Sequence, residues 1–373
     1  MAKAEGPPGT TPRYFKESFV KPMKNPNETT RDSAGRSGGW RRLAFCLFVL
    51  TAATTAFAGA KFSSIVVFGD SLSDTGRLFR LTHGAFPPRV AYFEGRQSNG
   101  PVWVEYLADA LDSRCLKNYA VVGAMTGPSA AVPAGNVKSD TYAGLEGTSL
   151  RGQLAMYLAN TGGRVDPQAL YVVEGGANDL IRPLSALLMN PPATNEEFLQ
   201  AVNEIAMPTV VNTATIVGTL KALGAQHIAV VNVPDFGKSP YLLGFGPVAS
   251  YIVSSVVDQV NDAVASQLDA IDAAGGRKLA RIDAYGFIDG VAAAPATYGF
   301  TNVTGEFMTL DMASGTVTFA APHRHAAAQW FFWDDLHPTT RGHRFFAENA
   351  LASVKSAFPE IFAGHCGDGG GHR

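Results

Sequence analysis

Ile65-Val-Val-Phe-Gly-Asp-Ser-Leu-Ser-Asp-Thr-Gly76 is the stretch from which the rest of the chain can be read. Ile65 to Phe68 are apolar, mostly β-branched and without polar alternation, the pattern of a strand buried on both faces. Gly69 ends the run, Ser71 follows at its carboxyl end, and Thr75-Gly76 closes a second turn. Open α/β sheets bind their ligands outside the carboxyl ends of the strands, so a serine at this point stands where chemistry is placed.

Similar runs recur downstream at Asn118–Val122, Leu170–Glu174, Ile228–Asn232 and Leu279–Asp283. Their spacing of roughly fifty residues leaves room for a strand and a crossover helix. The expectation is an α/β protein over residues 61–362, a three-layer α/β/α sandwich of the flavodoxin-like kind with a parallel sheet of about five strands.

The intervening helices carry their own ends. Thr194-Asn-Glu-Glu197 is a capping box that opens a helix with Phe198, Val202 and Ile205 on one face. Thr209 to Leu223 reads as a second helix, closed by Gly224. Ile252, Val256, Val260, Val264 and Leu268 repeat every four residues and predict a helix with one core face. Thr339 or Thr340 can cap a last helix carrying Phe345, Phe346, Leu351 and Val354. Two stretches, Gly123–Leu150 and Tyr285–Gln329, mix Gly, Thr, Pro and aromatics and read as long loops, either at a substrate entrance or as solvated surface.

Charge separates the N-terminus from the body of the 373-residue chain. Residues 1–42 hold nine Lys/Arg against four Asp/Glu, which leaves 21 against 28 in the remainder, a surplus of seven negative charges. An acidic body argues against nucleic-acid binding. Residues 1–39 are polar, Pro/Gly/Ser-rich and aperiodic, and read as a disordered extension. Residues 40–60 begin at Arg41-Arg42, run through the apolar stretch 43–58 and end in Ala56-Phe-Ala58 and Ala58-Gly-Ala60. That order is a cleavable signal peptide, making the protein secreted or periplasmic; an uncleaved anchor over 43–58 is the alternative. Residues 363–373 form a Gly-rich tail. Cys115 and Cys366 are either a disulfide, which export would permit, or two inert thiols.

A serine hydroxyl needs a base within hydrogen-bond reach and a group to orient that base. Both occur in Trp333-Asp-Asp-Leu-His-Pro338. Asp334 and His337 are three residues apart, so one turn can bring carboxylate to imidazole, and Pro338 biases His337 away from helical geometry. Asp335 is a neighbour that can be mistaken for the acid, and Asp334 can instead cap a helix or pair with Arg341. Val173-Glu-Gly-Gly-Ala-Asn-Asp179 ends the third apolar run in two glycines and an amide, either a turn or a donor site. No Gly-x-Ser-x-Gly elbow is present. His323-Arg-His325 is a metal-binding pair or a solvated loop, and Tyr92-Phe93 and Trp330–Trp333 read as core before acyl pocket.

These blocks also carry a resemblance. Phe68-Gly-Asp-Ser-Leu-Ser-Asp-Thr-Gly76 resembles the first block of the GDSL family of SGNH-type esterases and lipases, which implies Ser71 as nucleophile. Asn118-Tyr-Ala-Val-Val-Gly-Ala124 is similar to the block that carries the family's glycine, implying a backbone N–H from Gly123 for the oxyanion hole. Gly176-Ala-Asn-Asp179 is similar to Gly-x-Asn-Asp, implying a side-chain N–H from Asn178, with the Ser71 N–H as a third donor. Asp334-Asp-Leu-His337 resembles the Asp-x-x-His block, implying His337 as base and Asp334, in preference to Asp335, as the acid that orients it. Asn99–Tyr106 and Asn232–Gly237 also look like family sequence. The resemblance implies the same layered fold and hydrolysis of carboxylic esters through an acyl-serine, with neither cofactor nor metal. Phospholipase, acyltransferase and carbohydrate acetylesterase activity stay open on the same triad. A binding protein with a relict hydrolase fold is the non-enzymatic alternative. Expected partners are small-molecule, lipid or polysaccharide esters, with contact to a lipid surface compatible; the sequence is silent on oligomeric state.

Overall fold

The computed structural model describes residues 61–363. The expectations for 1–39, for the signal segment 40–60, for Cys366 and for all but the first residue of the tail lie outside these residues. Cys115 is exposed.

In chain order the elements are β1 (Ile65–Phe68), α1 (Arg77–Leu81), α2 (Trp103–Ala110), β2 (Leu116–Asn118), α3 (Leu150–Asn160), β3 (Leu170–Val173), α4 (Ala177–Met189), α5 (Asn195–Ala222) and β4 (His227–Val231). There follow α6 (Pro240–Leu243), α7 (Pro247–Ala273), β5 (Ala280–Ile282), α8 (Ala284–Ala293), β6 (Asn302–Glu306), β7 (Met308–Asp311), β8 (Thr316–Phe319), β9 (Trp330–Phe332), α9 (Thr340–Ala357) and α10 (Pro359–Phe362).

Strands β1 to β5 form one sheet in the order β2-β1-β3-β4-β5, every neighbouring pair parallel. Ile65 lies opposite Leu116 on one side and Leu170 on the other. Alternate residues face opposite layers. Val66, Phe68, Tyr171, Val173, Ile228 and Val230 pack with residues of α3, α4, α5 and α7. Ile65, Val67, Leu170, Val172, Ala229 and Ile282 pack with α2, α8 and α9. Every residue of β1 is fully buried, and each such side chain is worth about 1.5–3 kcal/mol of transfer free energy. This is the expected three-layer α/β/α sandwich. The first crossover steps one way from β1 and the later ones step the other way, so a crevice opens at the carboxyl ends of β1 and β3.

Several boundaries differ from expectation. The second strand is Leu116–Asn118, not Asn118–Val122. The Asn118 carboxamide accepts from Ala120 N at 2.9 Å and donates to Ser73 O at 2.6 Å, turning the chain out of the strand while Tyr119 N and Val121 N still bond Val67 O and Gly69 O. The two helices expected on either side of Pro208 are one 28-residue helix, α5. An interior proline costs about 3 kcal/mol; the buried face running from Val202 through Val210 and Ile216 to Leu220 outweighs it. The capping box at Thr194 is present. Thr339, rather than Thr340, caps α9.

Tyr285–Gln329 is not a plain loop. It contains most of α8, the antiparallel hairpin β7–β8, and β6 paired in parallel with β9. The hairpin closes on Asp311, whose carboxylate accepts from Ala313 N at 2.8 Å, and on Gly315 at φ 70°. Phe307 stacks on Trp333 with ring centroids 5.6 Å apart, which holds the hairpin beside Asp334. His323 and His325 stack on each other in an exposed segment, and no group of three or more potential metal ligands occurs among the described residues. No helix among them is long and apolar enough to cross a membrane.

Candidate active site

Ser71 stands in a tight turn just past β1, in which Ser73 N and Asp74 N both donate to Asp70 O. The peptide groups of Gly69 are gripped by the buried Gln153 of α3: Gly69 N donates to Oε1 and Nε2 donates to Gly69 O, each at 2.8 Å. A Cβ on Gly69 would lie 2.8 Å from a Glu174 oxygen, so a larger residue here would displace the Glu174 carboxylate. The buried Asp74 carboxylate accepts from Gly76 N, Leu78 N and Val122 N at 2.8 to 3.0 Å. It thereby caps α1 and ties the turn to the segment after β2.

Across the cleft, β9 delivers Asp334 and His337. His337 Nδ1 lies 2.8 Å from Asp334 Oδ1 and 2.9 Å from Oδ2, and His337 Nε2 lies 2.8 Å from Ser71 Oγ. Asp334 Oδ1 also accepts from His337 N at 2.7 Å and Leu336 N at 3.0 Å. Tyr92 OH donates to Oδ2 at 2.8 Å. Arg341, the alternative partner of Asp334, instead bonds Ala328 O and lies over the Phe300 and Phe345 rings. Burial favours the neutral forms of both Asp334 and His337, but their mutual attraction and hydrogen bonds outweigh it. Asp334 is held below the usual carboxylate range and His337 above the usual imidazole value. Asp335 points into the cleft instead; burial and the adjacent Asp334 charge push it up to about 6.

Gly123 follows at φ 78°, where a Cβ would come within 2.7 Å of Asn136 Oδ1. Neither its N–H nor that of Ser71 has an acceptor among the described residues, and both residues line the cleft. Asn178 sits in the first turn of α4 behind Gly176, at φ 115°. Its Nδ2 donates to Asp70 Oδ2 at 3.1 Å and to Ala124 O at 3.0 Å. The neighbouring Asp179 accepts from Thr126 N at 2.9 Å and Thr126 Oγ1 at 2.7 Å, holding the glycine segment against α4; burial pushes its carboxyl up to about 7.

These groups line one cavity of about 500 Å³, the size of a small-molecule site. Phe86, Ile181, Phe236, Tyr241, Met308 and Leu310 give it an apolar wall, and Lys138, Arg182, Glu306 and Asp335 add charge. Both stretches read from the sequence as long loops contribute lining: Gly123, Val137 and Lys138 from one, Glu306 to Met312 from the other.

A family model described as GDSL-like Lipase/Acylhydrolase matches residues 65–350, which contain every residue of this site. The chain belongs to that family. It is 26% identical over 305 residues to a thermolabile hemolysin of Vibrio parahaemolyticus, covering 78% of this chain and 63% of that protein. It is 31% identical over 197 residues to a phosphatidylcholine-sterol acyltransferase of Aeromonas hydrophila, covering 52% of each. A GDSL esterase/lipase of Arabidopsis thaliana is 23% identical over 336 residues, covering 79% of this chain and 89% of the plant protein. The match thus spans about half to two thirds of the two bacterial relatives.

In this member of the GDSL family the sequence motifs meet in space: Ser71, Gly123, Asn178, Asp334 and His337 surround one cleft. Sequence reasoning missed Tyr92, Gln153 and Glu174. Tyr92 reads as core, and it is buried, yet its hydroxyl reaches Asp334 across 242 residues. No local pattern announces such a contact. Glu174 had a signal: a carboxylate ending an otherwise apolar strand needs a partner.

Proposed function

We propose that the chain hydrolyses carboxylic esters through an acyl-serine intermediate on Ser71. The observation that carries this reading is the unbroken hydrogen-bonded chain Ser71 Oγ–His337 Nε2 and His337 Nδ1–Asp334 beside two unpaired backbone N–H groups. Ser71 Oγ attacks the ester carbonyl while His337 Nε2 takes its proton. The negative charge that develops on the carbonyl oxygen meets the N–H groups of Ser71 and Gly123 and the Asn178 amide, one of whose protons is then shared with or released from Ala124 O. The tetrahedral intermediate collapses by breaking the bond to the leaving alkoxide, which takes the proton from His337. Water, deprotonated by the same imidazole, attacks the acyl-serine; the acyl–Oγ bond breaks, Ser71 Oγ takes the proton back from His337, and the carboxylic acid leaves. Asp334 holds the imidazole tautomer and balances the imidazolium.

The volume and apolar wall favour an acyl chain of several carbons over acetyl. A series of p-nitrophenyl esters tests this: activity should rise beyond the acetyl ester. Best turnover of acetyl esters would point to a deacetylase, and no turnover of any ester would point to a binding protein. Transfer of the acyl group to an alcohol instead of water is a second reading, favoured by the relative named as a phosphatidylcholine-sterol acyltransferase. The basic-then-apolar segment 40–60 supports an exported enzyme, which N-terminal sequencing of the mature protein would check.

A further inference from the structure

Asp70 and Glu174, at the ends of the adjacent strands β1 and β3, are each 1% exposed. The two are joined directly by Asp70 N, which donates to Glu174 Oε2 at 3.2 Å, and each carboxyl acts on the pKa of the other. Neither has a Lys or Arg partner among the described residues; the charged groups facing Asp70 besides Glu174 are His337 and Asp179. Glu174 Oε2 accepts from Ser73 Oγ at 2.8 Å and from Asp70 N at 3.2 Å. Ser73 Oγ in turn accepts from Trp103 Nε1 at 3.1 Å, which aims its own proton at Glu174. Glu174 Oε1 is buried with no partner. Asp70 Oδ1 accepts from Leu72 N, and Oδ2 accepts from Asn178 Nδ2, each at 3.1 Å.

Two adjacent buried carboxylates with no Lys or Arg beside them resist ionising together, and one proton between them removes the conflict. Burial, and for Asp70 the Glu174 charge, push both carboxyls up, in the same sense. An acceptor at Asp70 Oδ2 matters because a carboxamide can turn either end to the cleft. With Asp70 Oδ2 and Ala124 O both on the nitrogen side, the NH2 end of Asn178 is the end held at the site.

We propose that Asp70 and Glu174 work as one positioning unit for Asn178, a buried carboxyl pair sharing a single proton, which rests on the reading of Asn178 as an oxyanion donor. The pair acts through Asn178: it fixes which end of the amide faces the reacting carbonyl and keeps the local charge at one negative unit instead of two.

A double-mutant cycle on kcat tests this, with the circular dichroism of each variant recorded. Asp70→Ala should lower kcat on the order of 10- to 100-fold with KM little changed, since a misplaced donor loses transition-state binding. In the Asn178→Ala background the same change should cost less than about threefold, because the group it positions is gone. Glu174→Gln should keep kcat within about threefold of wild type, its amide N–H replacing the shared proton, while Glu174→Ala should fall with Asp70→Ala. Equal costs of Asp70→Ala in both backgrounds would overturn the proposal, as would Glu174→Gln failing as badly as Glu174→Ala. If Asp70→Ala does not fold, the Glu174 pair decides alone. If Asn178→Ala itself costs tenfold or less, the proposal falls with the donor role of Asn178, while labelling of Ser71 by a serine probe would leave the esterase reading standing.

Discussion

His337 Nε2 lies 2.8 Å from Ser71 Oγ although 266 residues separate them in the chain. The sheet makes the meeting: β1 ends at the turn that carries Ser71, and β9, docked through Phe331 and Phe332 into the layer under β1, ends beside His337. Ser71 and His337 therefore each stand in a short turn just past the end of a packed strand.

Asp334→Asn should lower kcat by about 10⁴-fold with the fold unchanged, since an amide at that place favours the wrong imidazole tautomer. Asp335→Asn should cost less than about tenfold, because its carboxylate faces the cleft and acts on the imidazole through its charge without hydrogen-bonding it. Steady-state kinetics on one ester decides between the two aspartates; the reverse ranking would reassign the acid.

The pH profile follows from the sign of the His337 shift. Burial lowers its pKa, the charge and hydrogen bond of Asp334 together with the charges of Asp335 and Asp70 more than restore it, and the net direction is upward. A base works only when neutral, so kcat/KM should fall as pH drops through the His337 pKa, with the acid limb above the free-imidazole value of about 6.5. Asp334→Asn removes the largest of these attractions and leaves burial opposed only by the charges of Asp335 and Asp70, so the limb should move to lower pH as the plateau drops. A limb below that of free imidazole in the wild type would contradict the ion pair.

Tyr92→Phe removes one hydroxyl donated to the buried Asp334 carboxylate. Hydrogen bonds to charged groups contribute about 1.5–3 kcal/mol, so thermal or urea denaturation should show a loss of that order. Because the Asp334 anion is then less well held, kcat should also drop roughly tenfold. Unchanged stability and activity would leave the hydroxyl without a role.

Much of this site was legible before any coordinates. Ser71, Gly123, Asn178, Asp334 and His337 sit at ends of strands or three residues from a partner, so local pattern and family motif locate them together. Tyr92 was not legible, because its contact depends on how a segment 242 residues away folds back. The hairpin β7–β8 was hidden because two strands of four residues give too short a period to separate from a Thr-rich loop. The two helices read from Thr194 and from Thr209 are one because packing of the whole apolar face of α5 carries it through Pro208. The second strand began earlier than its apolar residues, because Asn118 turned the chain with its own side chain.

Gly123→Ala tests the close approach beside Ser71. At φ 78°, with a Cβ 2.7 Å from Asn136 Oδ1, alanine should cost about 1–3 kcal/mol in strain alone. Displacing the Gly123 N–H should lower kcat by roughly 10²-fold, as loss of an oxyanion donor does. Melting temperature and kcat measured on the same preparation check both; a variant of native stability and activity would remove Gly123 from the site.

The most direct measurement is mass spectrometry of the protein after reaction with an organophosphonate serine probe, with Ser71→Ala as control. One adduct, on the Ser71 peptide and absent from the variant, is the result expected of a serine activated by His337. Folded protein that takes up no probe, or takes it up on another residue, would contradict the assignment of Ser71 as nucleophile.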